Sequence, residues 1–141
     1  MRIFTKRFSL AVLLSATPFI ANAQMKFTTA EQIKPILTAT KSSWIAVREY
    51  GGSDILYFTQ LLSWRCGLSR LSYSVNDENT LNDWDLGHCN EELPNPNVFA
   101  EDQKIYATFP LGSIQTVTVH ITYDDESKDQ MRFERKAVFT P

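Results

Sequence analysis

The chain has 141 residues, 43% hydrophobic, 12% aromatic and 21% charged, with a formal net charge of −2. That profile belongs to an ordinary globular domain, and it excludes a disordered chain, a collagen-like repeat, a disulfide-dense miniprotein and a polytopic membrane protein. The shortage of basic residues also removes the electrostatic footprint of a nucleic-acid binder.

Residues 1–23 read as a signal peptide. Arg2, Lys6 and Arg7 give a positive start, residues 8–20 are mostly apolar, and Ala21-Asn22-Ala23 has the small-x-small form of a signal-peptidase site. The apolar run is too short for a membrane span, which needs about 20 residues. No later run is apolar enough to span either. The expectation is cleavage after Ala23 and a periplasmic or secreted product covering 24–141 as one domain. That product has 118 residues, with eleven basic against sixteen acidic side chains and a formal charge of −5. Such a surface disfavours polyanions and anionic membranes.

In chain order, Thr28-Thr29-Ala30-Glu31-Gln32 reads as a helix start with a hydroxyl cap. Ala30, Ile33 and Leu37 then share one face. Pro35 marks the helix as short, kinked, or beginning nearer Lys34, because a helix interior cannot supply the missing N–H. Strand patterns follow over 44–50 and 55–64, separated by the turn signal Gly51-Gly52-Ser53-Asp54. The second run is apolar on both faces and is expected in the middle of the fold. Leu71, Tyr73 and Val75 alternate with Ser72 and Ser74 in a third strand.

Residues 76–103 lack periodicity and read as a long loop, with Trp84 and Leu86 tucked beneath it. Loops of that length are either functional or disordered. Both cysteines, Cys66 and Cys89, belong to the exported part, and in an oxidising compartment a disulfide is their expected state. It would tie the loop to the sheet and contribute roughly 3 kcal/mol through chain entropy. The C-terminal third reads as a meander of strands over 105–109, 115–123 and 131–139, with the last turn at 124–130. The fold class is therefore α+β: a short N-terminal helix on a mainly antiparallel six-stranded sheet, folded into a sandwich or an open barrel.

The stretch from Trp44-Ile-Ala-Val-Arg-Glu-Tyr50 through Leu62-Ser-Trp-Arg-Cys-Gly-Leu68 resembles small exported bacterial proteins of uncharacterised function. The likeness covers about 33–75, with a weaker echo in Phe133-Glu-Arg-Lys-Ala-Val138. It implies export and a disulfide, and it implies no activity.

Three groups of residues are candidates for chemistry. If Tyr123 opposes Met131 across the last turn, His120 sits opposite Glu134, the arrangement of an oriented acid–base pair; the bland alternative is a surface cross-strand pair. The second group is Asp83-x-Asp85-x-Gly87, which fails the calcium-loop spacing because Gly87 is fifth and Pro94 twelfth. A looser set would need Asp83 and Asp85 with Glu91 or Glu92. His88 beside Cys89 lacks the geometry of a thiol–imidazole pair, and a disulfide would consume the thiol. The third group is Arg48, Glu49, Tyr57, Gln60, Trp64 and Arg65, where polar groups interleave with aromatics as in a site for a small polar ligand or sugar. The alternative is a core of aromatics with snorkelling arginine stems. Within that group Arg48, Tyr57 and Trp64 are the binding candidates.

No phosphate loop, nucleophile elbow, zinc-protease motif or Cys-x-x-Cys is present. No cofactor and no metal is implied. The first functional expectation is a non-catalytic binding or accessory domain meeting an extracytoplasmic protein or small ligand. A small-molecule or carbohydrate-binding module comes second, and an acid–base enzyme built on His120 and Glu134 third. A protein-binding module should show an exposed apolar patch or a free strand edge.

Overall fold

The computed structural model describes residues 23–141 together with Pro18. The expected signal peptide lies, but for Pro18 and Ala23, outside the described residues. Among the described residues, no helix is long and apolar enough to cross a membrane.

The chain opens with helix α1, Ala30–Ala39. Its stripe of Ala30, Ile33 and Leu37 is buried, as the spacing predicts. Pro35 lies inside the helix, on the exposed side. The expected hydroxyl cap is not made. Instead the Ala30 N–H donates to the Asp124 carboxylate at 2.7 Å, a charge from a distant turn placed at the positive end of the helix. At the other end the buried Trp44 indole donates to the Leu37 carbonyl, satisfying one of the carbonyls a helix terminus leaves free.

Strands β1, Ala46–Tyr50, and β2, Ser53–Tyr57, form a hairpin closed by Gly51 and Gly52. Both glycines have positive φ, +59° and +76°, as a type I′ turn requires. The turn is thus two residues, and Ser53 and Asp54 begin the second strand. The expected strand over 55–64 ends at Tyr57. The chain then winds into α2, Thr59–Leu62, and a 3₁₀ turn at Arg65–Gly67. Leu61 and Leu62 are both buried there, so residues apolar on every side mark a buried short helix rather than a central strand. Gly67 sits under α1: a Cβ at that position would lie 2.7 Å from Ile33 Cδ1 and 3.0 Å from the Thr29 carbonyl carbon.

Strand β3, Leu68–Val75, is followed by the short β4, Asn82–Trp84, inside the segment expected to be a loop. The remaining strands are β5, Tyr106–Pro110, β6, Thr116–Tyr123, and β7, Lys128–Glu134; α3, Arg135–Val138, follows. The described residues therefore hold seven strands, in an antiparallel three-stranded sheet β1-β2-β5 and an antiparallel four-stranded sheet β4-β3-β6-β7. They form no closed barrel. The expected C-terminal meander is broken, because β5 pairs with β2 and not with β6.

Both sheets contribute to one core. Val47 and Leu56 come from the first sheet, Leu71, Tyr73, Val117, Val119, Ile121 and Phe133 from the second, and Ile33, Leu37 and Trp44 from the helical side. Phe58 joins them, with ring centroids 5.0 Å from Tyr73 and 4.5 Å from Trp84, distances at which tilted aromatic pairs attract.

Two buried charged groups brace this frame. Asp54 has no exposed surface. It accepts from the Gly112 and Ile114 N–H groups at 3.0 and 3.1 Å and from both terminal nitrogens of Arg135 at 3.0 and 2.5 Å. Those bonds, the guanidinium first, hold its carboxyl well below the usual carboxylate range. Arg65 is only 2% exposed and donates to four backbone carbonyls: Leu62, Asn97, His88 and Val98. Burial pushes its guanidinium down from its ordinary value, yet arginine stays charged at neutral pH. Asn97 completes the clamp by accepting from the Cys66 N–H and donating to the Phe27 carbonyl. Beside it the Cys66–Cys89 disulfide is formed, with Cα atoms 5.6 Å apart. The long segment is thus fastened by a covalent bridge and a buried cation.

Candidate functional site

The first sheet has one face on the core and one outward. Cross-strand partners share a face, so Val47, Leu56 and Ala107 lie inward while Arg48, Ile55 and Thr108 lie outward. The neighbouring outward row is Ala46, Tyr57 and Tyr106, with Tyr50 two residues beyond Arg48. Tyr50 is 70% and Tyr106 46% exposed, and the Tyr57 and Tyr106 rings are 5.7 Å apart. The Arg48 guanidinium lies 5.9 Å from the Tyr50 ring. A groove of about 300 Å³ opens beside this row, lined by Ser43, Ile45, Ala46, Tyr57 and Gln60 among others.

The face therefore brings Arg48 and Tyr57 together and adds two tyrosines that sequence reasoning did not select. In the sequence Tyr106 falls in the C-terminal group of strands and Tyr50 at the end of a hairpin arm, so neither points to this face by position alone. A signal was present in Tyr50: it shares parity with Arg48 along the strand.

Trp64 is not part of this surface. It follows α2, packs edge-on against Phe27 at 5.2 Å and lines a separate groove of about 410 Å³ with Lys26, Pro94 and Asn95. Its indole nitrogen is buried without a hydrogen-bond partner. Glu49 and Arg65 also leave the expected cluster, Glu49 to pair with Arg135 at 2.9 Å and Arg65 to the buried clamp.

The pairing of His120 with Glu134 is not formed. The last turn is tight: Tyr123 N–H donates to the Ser127 carbonyl at 2.8 Å, and Glu126 adopts a φ of +67°, the left-handed residue of a three-residue hairpin loop. This closes the hairpin four residues earlier on β7 than expected. His120 faces Gln130, and Glu134 faces Thr116. At about 3.3 Å per residue the two are some 13 Å apart along the strand direction. Glu134 instead takes a hydrogen bond from Arg132. His120 lines a groove of about 360 Å³ with Arg70, Ser72, Leu81, Thr122 and Lys128 among others.

The acidic set in and after β4 is also dispersed. Arg70 holds Asp83 through two hydrogen bonds, 2.8 and 3.0 Å, and Asp85 accepts from the Gly87 N–H. Among the described residues, no three His, Cys, Asp or Glu side chains are placed to hold a metal ion. Comparison with protein-family models, curated proteins and solved structures finds no match.

Proposed function

We propose that this is an exported, non-catalytic binding domain that meets an extracytoplasmic protein through the outward face of the β1-β2-β5 sheet. The observation that carries the reading is that face itself: Tyr50, Tyr57 and Tyr106 with Arg48 on a rigid sheet, two of the tyrosines largely exposed. Tyrosine and arginine are enriched at interface centres: the tyrosine ring gives contact area with little entropy to lose, and the guanidinium gives several directed donors on a planar surface. Export and a periplasmic or secreted location follow from the sequence of residues 1–23, and the disulfide is compatible with both. Two fastenings, the disulfide and the Arg65 clamp, keep the long segment after β3 in place, so the sheet is presented on a rigid body.

A carbohydrate-binding or small-molecule module is the second reading. The groove beside Tyr57 and Gln60 favours it, since an aromatic wall with nearby amide and hydroxyl groups suits a small polar ligand. Affinity measurements with face variants test both. Tyr57→Ala with Tyr106→Ala should weaken binding of the captured protein or sugar about tenfold or more, whereas Trp64→Ala should leave it unchanged. Equal losses from Trp64→Ala would contradict the assignment of this face.

A further inference from the structure

We infer that β5 pairs with β5 of a second copy of this chain, joining two three-stranded sheets into one antiparallel sheet. An open strand edge presents unpaired N–H and C=O groups, and folds protect such edges with cover, charge or shortness. The other edges here are protected. The C-terminal segment covers β1: Thr140 donates to the Val47 carbonyl at 2.8 Å, and Val47 bridges to Phe139. Along β7 run Lys128, Asp129, Arg132 and Glu134. Strand β4 is three residues long.

Strand β5, Tyr-Ala-Thr-Phe-Pro, has none of these devices except Pro110 at its last position. Phe58 N–H donates to the Ile105 carbonyl. The antiparallel alternation then turns Ile105, Ala107 and Phe109 towards β2 and leaves the N–H and C=O of Tyr106 and Thr108 pointing away from the sheet. Among the described residues, no backbone bond from outside the strands reaches either.

This edge is self-complementary. In a twofold antiparallel pairing centred on Ala107, Tyr106 and Thr108 exchange backbone bonds with Thr108 and Tyr106 of the second copy. On the inward side Ile105 then lies against Phe109 of the second copy, and Ala107 meets itself. Both Ile105 and Phe109 are half-buried and packed on the core from one side, so the pairing covers their open flanks. Neither strand carries a charge. The nearest charge upstream, Lys104, is drawn away to the Trp84 ring at 5.3 Å, so no like charges meet. The twofold axis is perpendicular to the sheet, which puts the tyrosines of both copies on the same side and makes the proposed binding face bivalent. One pair of short strands buries less than the 1,200–2,000 Å² typical of stable complexes. The dimer is therefore a concentration-dependent one, strengthened by salt that screens the excess negative charge.

Sedimentation equilibrium and amide exchange of the exported chain, over a range of concentrations reaching about 1 mM, test this. The expected result is a mass rising towards that of two chains, with the Tyr106 and Thr108 amides slowing about tenfold as the dimer forms. The Ala107 and Phe109 amides should stay protected throughout. Thr108→Pro removes an outward N–H at an edge position, where the fixed φ of proline is tolerated, and should hold the mass at one chain. Thr108→Lys, which places a charge on the edge and leaves every backbone group in place, should do the same. A wild-type chain that stays monomeric with fast Tyr106 and Thr108 exchange would overturn the inference. So would a dimer that survives both variants.

Discussion

The buried carboxylate of Asp54 and the partly exposed guanidinium of Arg135, 81 residues apart in the chain, meet in an ion pair with two parallel hydrogen bonds. The pair joins the start of β2 to the residue that opens α3. Arg135 also donates to the Ile114 carbonyl at 2.7 Å, so one side chain ties the hairpin, the turn before β6 and the C-terminal segment. Arg135 is partly exposed and keeps Glu49 as a partner, so Asp54→Asn removes the charge-assisted hydrogen bonds without stranding the guanidinium and should cost about 1–3 kcal/mol by urea unfolding. A loss below about 1 kcal/mol would mean the pair adds little to the frame.

Acid should act on the same pair. The carboxyls of Asp54, Asp77 and Asp125 are all held low, by Arg135, Arg132 and Lys34 respectively, and that of Asp125 is held at about 2. A carboxylate with a depressed folded value contributes stability above the unfolded value of about 3.9, and loses it as pH falls towards the folded value. The melting temperature should therefore drop steeply below about pH 4, and the drop should be shallower in Asp54→Asn.

The Arg65 clamp and the disulfide hold the same segment. Reduced or Cys66→Ser/Cys89→Ser protein should lose roughly 3 kcal/mol, and Arg65→Met should lose about 2–4 kcal/mol by leaving carbonyls unpaired. Because both fasten residues 88–98, the combined variant should depart from additivity by at least about 0.5 kcal/mol. Denaturant titrations of the four proteins check this.

Gly67→Ala should destabilise by about 1–3 kcal/mol, because its methyl would overlap the Ile33 side chain and crowd the Thr29 backbone, so Ile33 or the start of α1 must shift. Thermal unfolding of that single variant decides it.

His120→Ala and Glu134→Ala should each change stability by less than about 0.5 kcal/mol and should add. Strong coupling between them would mean that the last hairpin has the longer turn after all.

What was legible in the sequence was local. Val117, Val119, Ile121 and Tyr123 alternate with polar residues, and that strand stands where the pattern places it. The Ile33–Leu37 stripe does too, while the turn expected over 51–54 narrows to Gly51 and Gly52. The failures concern partners. Nothing in Tyr106–Pro110 names β2 as its neighbour, so the sheets were grouped by chain order. The apolar run after Tyr57 fits a strand or a buried helix equally, and only packing of Leu61 and Leu62 decides. The His120 register hung on the length of one turn, which a single residue, Glu126, shortens by adopting a left-handed backbone. Half of the candidate face, Arg48 and Tyr57, is visible in the sequence because polar groups interleave with aromatics there; the two-residue turn that puts both on one face is visible only in the structure. Tyr106 arrives on it from 49 positions further along the chain.

Photo-cross-linking in the cell that produces the protein tests whether the outward tyrosine face is the working surface. A photoreactive residue replaces Tyr57 in one variant, and Thr118, on the outward face of the other sheet, in a second. A working tyrosine face gives a discrete adduct with an extracytoplasmic protein from position 57 and none from position 118. An adduct from position 118, with none from 57, would contradict it.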